Sequence, residues 1–179
     1  MSRFIYVDNS NLFLEARKLA LVQKGLVASM HEAQAARAFD HSYRLDYFKL
    51  LECLAVDEPV ARAVVFGSSA VPDSPVWKHA EEAGWEVFSF ERNFKNKEKK
   101  IDIAVATEML VDAFKHVRKR EDQIVLVAGD SDYLPAVCRL TEEGFVVLVY
   151  FWGQAAHELK EVATDFITMD PWLADLELL

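Results

Sequence analysis

Cysteine, glycine and proline are scarce in this chain: two, six and five of them among 179 residues. The two cysteines, Cys53 and Cys138, lie far apart in segments that read as helices. They behave as small apolar residues, and neither a disulfide framework nor a cysteine metal clip is built from them. So few glycines and prolines leave no flexible linker, low-complexity tract or internal repeat, and residues 1–179 read as one domain. No apolar run approaches the roughly 20 residues that a membrane helix needs. The first apolar stretch is cut short by Asp8, so signal-peptide anatomy is missing too. A cytoplasmic location with no membrane partner is the expectation. Basic residues are also in deficit: 20 Lys and Arg against 29 Asp and Glu, a net charge of −9. That balance argues against coating nucleic acid by bulk electrostatics. It is compatible with a site built from carboxylates, which add to the negative count until a bound cation cancels them locally.

What the chain does have is a regular alternation of short apolar runs and helical periodicity. Strands are expected at 4–7, 61–67, 85–90, 123–128 and 145–151, with a sixth at 166–169. Helices are expected from near Leu12 with Asn9–Asn11 as cap, at 45–55, at 76–83, at about 101–118, and from Leu134 to a stop at Gly144. Strands separated by helices predict an α/β fold whose mostly parallel sheet is covered on both faces. Residues 25–41 have high helix propensity but a weak apolar face, and read as a helical extension or insertion serving as a flap or an oligomer contact. Residues 170–179 form a short C-terminal segment.

The most informative stretch is Val125–Tyr133. A buried strand stops at Gly129 and then presents Asp130 and Asp132, separated by Ser131. Open α/β sheets bind ligands at the carboxyl ends of their strands. Two acids so close repel each other unless a cation lies between them, which points to a divalent-metal site. Asp8 likewise ends the first strand, and a first strand is commonly central and near the switch point of such a sheet. An Asp in that position also serves widely as a helix cap. Asp102 opens the apolar helix after the densest basic run, Arg92 to Lys100, where the helix dipole alone would favour an acid. The basic run carries Arg92, Lys95, Lys97, Lys99 and Lys100 and is expected to meet a phosphate backbone.

Three motifs carry a family resemblance. Val7-Asp8-Asn9-Ser10-Asn11-Leu12 resembles the Asp-x-(Ser/Gly)-Asn-Leu opening of NYN domains, in the PIN-like nuclease superfamily. Lys99-Lys100-Ile101-Asp102 is similar to their central Lys-x-x-Asp helix start, with Lys100 where a glycine is usual. Gly129-Asp130-Ser131-Asp132-Tyr133-Leu134-Pro135 resembles their Gly-Asp-Ser-Asp-Phe-x-Pro segment, with Tyr133 at the phenylalanine position. The three matches keep the family's order, and the LabA-like branch is the best description. The resemblance implies a three-layer α/β/α sandwich of PIN-like type and Mg²⁺- or Mn²⁺-dependent hydrolysis of RNA. By matching position it makes Asp8, Asp102, Asp130 and Asp132 the metal-binding, catalytic acids, with Asn11 among the catalytic residues as a polar support. Ser10 and Ser131 become supports as well, and so does Glu108, which stands six residues beyond Asp102 where a further Asp is frequent.

A divalent-metal-dependent ribonuclease is therefore the leading expectation. A non-catalytic domain that binds RNA or protein is the second. A haloacid-dehalogenase-type phosphatase ranks third, because its Asp-x-Asp pair follows the first strand, whereas here that position reads Asp8-Asn9-Ser10.

Overall fold

A computed structural model of the chain describes residues 1–69, 74–91 and 97–179. Six strands, β1 (Arg3–Asp8), β2 (Val60–Ser69), β3 (Glu86–Glu91), β4 (Gln123–Val127), β5 (Val146–Phe151) and β6 (Asp165–Thr168), form one sheet. Its order is β3-β2-β1-β4-β5-β6, and every pairing is parallel. The chain first adds strands on one side of β1, then returns to add β4 to β6 on the other. The reversal between β1 and β4 opens a crevice at their carboxyl ends, where such sheets hold ligands.

The helices are α1 (Asn9–Gln23), α2 (Met30–Ala36), α3 (Tyr47–Ala55), α4 (Pro75–Glu82), α5 (Lys97–Lys115), α6 (Leu134–Glu142) and α7 (His157–Val162). The two-residue period of a strand divides them into two layers. Ile5 and Val7 of β1, with Val65, Val125 and Val127, face a core built with residues of α1, α3 and α4. Phe4 and Tyr6, with Val64, Phe66, Ile124 and Leu126, face a core built with α5, α6 and α7. Asp8 continues the Phe4–Tyr6 series, so its side chain emerges on the α5 side.

Most expected boundaries move by a residue or two, and two shifts bear on the site. Residues 9–11 lie inside α1, whose cap is Asp8, accepting from the Asn11 N–H at 3.0 Å. The helix expected from Ile101 begins at Lys97, because Lys-Glu-Lys-Lys favours helix without contributing an apolar face. The 25–41 region lies against α1 rather than standing off as a flap. Ala33 is fully buried, and the buried Lys18 ammonium donates to Glu15 at 2.6 Å and to Gln34 at 2.7 Å. Lys24 pairs with Asp40 at 2.6 Å. The C-terminal segment also docks: Leu173 and Leu176 are buried, and the Leu178 N–H donates to the Arg44 carbonyl at 2.9 Å. No helix among the described residues is long and apolar enough to cross a membrane.

Candidate active site

Four elements converge at the crevice. Asp8 comes from the end of β1, and its side chain is 3% exposed. Its Oδ1 accepts from the Asn11 N–H, so the helix-cap reading of this residue is correct as far as it goes. Its Oδ2 accepts from the Tyr133 hydroxyl at 2.9 Å. That hydroxyl also lies 3.3 Å from Oδ1 of Asp102. Asp102 sits more than a turn inside α5, beyond the reach of the helix N-terminus that the sequence suggested as its partner.

Asp130 and Asp132 occupy the exit of β4. Asp130 caps a single 3-10 turn, Ser131–Tyr133, by accepting from the Asp132 N–H at 3.1 Å; the Ser131 hydroxyl lies 3.5 Å from the same oxygen. All three polar residues of this exit are exposed, whereas Tyr133 is fully buried. The turn can lie this close to the sheet because residue 129 is glycine. A Cβ there would stand inside the ring of Phe151. Asn11 locks the same point from the other side, its side-chain oxygen accepting from the Gly129 N–H at 2.8 Å. Asn11 therefore joins α1 to the β4 exit.

The electrostatics follow from this crowding. Burial pushes the Asp102 carboxyl up to about 7, and the nearby Asp8, Asp130 and Asp132 charges push in the same direction. Burial likewise raises Asp8 above the usual carboxylate range, against hydrogen bonds from Asn11 and Tyr133 that favour its charged form. Burial raises the Tyr133 hydroxyl, and the charges of Asp8 and Asp102 raise it further. Among the described residues, no lysine, arginine or histidine forms an ion pair with any of the four aspartates. Unpaired acids that disfavour one another's ionisation make a locus for positive charge.

Four carboxylates are the oxygen donors that a hard divalent cation takes. Among the described residues no three acidic, histidine or cysteine side chains already form a ligand set. The four aspartates are thus electrostatic neighbours, and their chemistry fits the implied ion, without being a finished coordination shell. An open cleft of about 370 Å³ adjoins them, lined by Asp102, Ile103, Ala106, Ser131, Asp132 and Pro135.

The remaining expected site residues divide. Ser10 lies in the first turn of α1, where its backbone N–H supports Asp8. Glu108 is turned to a different partner: it accepts from Arg62 at 3.0 Å, in a network with Glu86 and Asp112. Arg92 and Lys95 lie outside the described residues, as do the side chains of Lys97, Lys99 and Lys100. Tyr133 is the residue to which sequence reasoning gave no role. Its signal was present, since a hydroxyl stands where the resembling motif has a phenylalanine.

Comparison with known proteins agrees with this architecture. A crystal structure of a protein of unknown function from Vibrio parahaemolyticus is similar, with a TM-score of 0.67 and 17% identity over 99% of this chain and 96% of the other. At that identity the likeness speaks for the fold. No curated protein matches the chain. The NYN domain family matches residues 4–170, a span that takes in all four aspartates and all of the sheet but its first residue, Arg3. The chain belongs to the NYN domain family.

Proposed function

We propose that this NYN domain is a divalent-metal-dependent ribonuclease of the LabA-like branch, acting in the cytoplasm on RNA phosphodiester bonds. The observation that carries the reading is the pairing of Asp8 with Asp102, two acids brought together at the switch point with Asp130 and Asp132 beside them. Such a charge arrangement costs folding free energy, which a fold retains where a cation is to be held.

Asp8, Asp102, Asp130 and Asp132 would hold Mg²⁺ or Mn²⁺. The ion would supply positive charge to the phosphate as the bond breaks and make a water acidic at neutral pH. Asp132 lines the cleft and would take the proton of an attacking water. Asn11 holds the β4 exit at Gly129, while Ser10 and Ser131 support Asp8 and Asp130. Ile103, Ala106 and Pro135 offer an apolar wall to the nucleoside next to the scissile phosphate. Arg92, Lys95, Lys97, Lys99 and Lys100, which precede Asp102 in the chain, would contact the flanking phosphates.

Cleavage of a panel of single-stranded and structured RNAs, with Mn²⁺ or Mg²⁺ and then with EDTA, tests the reading. Hydrolysis is expected with metal and is lost with chelator. Asp8→Asn and Asp130→Asn should each lower the rate by roughly 100-fold or more while the protein stays folded. Full activity in both variants would show the site to be misassigned. Tight RNA binding without metal and without cleavage would instead establish a non-catalytic domain.

A further inference from the structure

We infer that Tyr133 is a positioning residue of the acid cluster: its hydroxyl ties Asp8 to Asp102 and so sets the affinity of the site for a divalent cation. The inference rests on the metal-dependent reading above. The hydroxyl lies 2.9 Å from Asp8 Oδ2 and 3.3 Å from Asp102 Oδ1, in a fully buried side chain. Asp8 is fixed at its other oxygen by the Asn11 N–H at 3.0 Å. Among the described residues, Tyr133 is the sole hydroxyl or cationic side chain bonded to either carboxyl. Asp102 belongs to a separate helix; its carboxyl also meets that of Asp8 directly, and the Tyr133 hydroxyl braces the pair from the exit of β4.

The chemistry of the hydroxyl suits this task. It carries one hydrogen, which the shorter contact gives to Asp8, while Asp102 stands within reach of the same hydroxyl. Being neutral, it orients the carboxyls without cancelling their charge, as an arginine in its place would. The negative charge stays available to a cation. Tyr133 also closes the turn that presents Asp132, so one ring couples β1, α5 and the exit of β4. A divalent cation tolerates little misplacement of its oxygen donors, Mg²⁺ least of all. Hydrogen bonds that orient ligating carboxylates are typically worth roughly 10–100-fold in metal affinity or activity.

Tyr133→Phe keeps the ring and removes only the hydroxyl. Calorimetric titration of MnCl₂ into metal-free wild-type and variant protein reads the affinity directly, with circular dichroism confirming that both are folded. The variant should bind Mn²⁺ about 10-fold or more weakly. Its kcat on RNA should fall at limiting Mn²⁺ and recover at saturating Mn²⁺, with KM for RNA unchanged. Equal or tighter Mn²⁺ binding by the variant, or a loss of kcat that added Mn²⁺ does not restore, would overturn the role of Tyr133 alone. Absence of Mn²⁺ binding by the wild-type protein would overturn the metal-dependent reading and this inference with it.

Discussion

Helix α5 carries two aspartates toward the same face of the sheet, and the molecule treats them in opposite ways. Asp112 accepts from the Tyr6 hydroxyl at 2.6 Å and from Arg62 at 2.5 Å. Arg62 reaches Glu108 at 3.0 Å and Glu86 at 2.8 Å as well, and the Glu86 hydrogen bond is the leading cause that raises the guanidinium pKa above its ordinary value. Asp102 also meets a tyrosine, but among the described residues its charged neighbours are Asp8, Asp130 and Asp132. One acid is neutralised by an arginine, and the other is surrounded by its own kind. The first arrangement clamps α5 to β1, β2 and β3. The second leaves acids at the crevice that no cationic side chain among the described residues pairs with. A fold could have placed the arginine at either end of α5, and this one places it away from the switch point.

Removing the clamp should have the largest effect on stability. Asp112→Ala leaves Arg62 with the less buried Glu86 and Glu108 and the buried Tyr6 hydroxyl without an acceptor. A loss on the order of 3 kcal/mol is expected, as for the breaking of a buried ion pair. Urea unfolding measures it, and a loss below about 1 kcal/mol would mean that the network is only surface decoration. Gly129→Ala attacks the other arrangement. Its new Cβ must displace Phe151 or lift the acid-bearing turn, at a cost of about 1–3 kcal/mol for overpacking. Mn²⁺ affinity should fall with it, because Asp130 and Asp132 move away from Asp8 while the Arg62 network is untouched. Retained affinity would detach those two acids from the site.

The difference between the two arrangements was only partly legible in the sequence. Strand periodicity and the glycine stop made the order of elements readable, and Asp8, Asp130 and Asp132 stood at strand ends where an open sheet needs its ligands. Glu108 turns to another partner for a geometric reason. Six residues along a helix turn the side chain by about 240°, so a residue placed six beyond Asp102 points to a different neighbour. That neighbour is Arg62, which no local pattern connects to it. The role of Tyr133 depends on two contacts across the fold, which spacing within one segment does not encode. The 25–41 region read as an extension or insertion because its apolar face is weak. It is held instead by Lys18 and Lys24, charged residues that read as surface.

The smallest effect is the most specific test of the comparison. Asp102 in the folded protein has a pKa of about 7 against an ordinary 3.8, so the folded chain holds a proton there that the unfolded chain has released. Where the folded state binds more protons, stability falls as pH rises. The contribution of Asp102 is therefore fully present below about 4 and is lost as the pH rises through about 7. Asp8 is shifted in the same direction. Asp122, lowered to about 2 by its hydrogen bond to Arg118, works oppositely, its contribution being lost only as the pH falls from about 4 through 2. The two windows do not overlap. Metal-free wild-type protein should thus lose melting temperature between pH 5 and pH 7, and Asp102→Asn should lose less of it. At pH 7.5 the variant should be slightly the more stable. The gain is below about 1 kcal/mol, because Asp102 is only partly buried and water screens the repulsion. Mn²⁺ competes with the same proton, so its affinity for the wild-type protein should rise across that window and level off above it. Parallel melting curves for the two proteins from pH 5 to pH 7 would show that the proton is not held at Asp102, and the contrast between the two ends of α5 would then need a different physical cause.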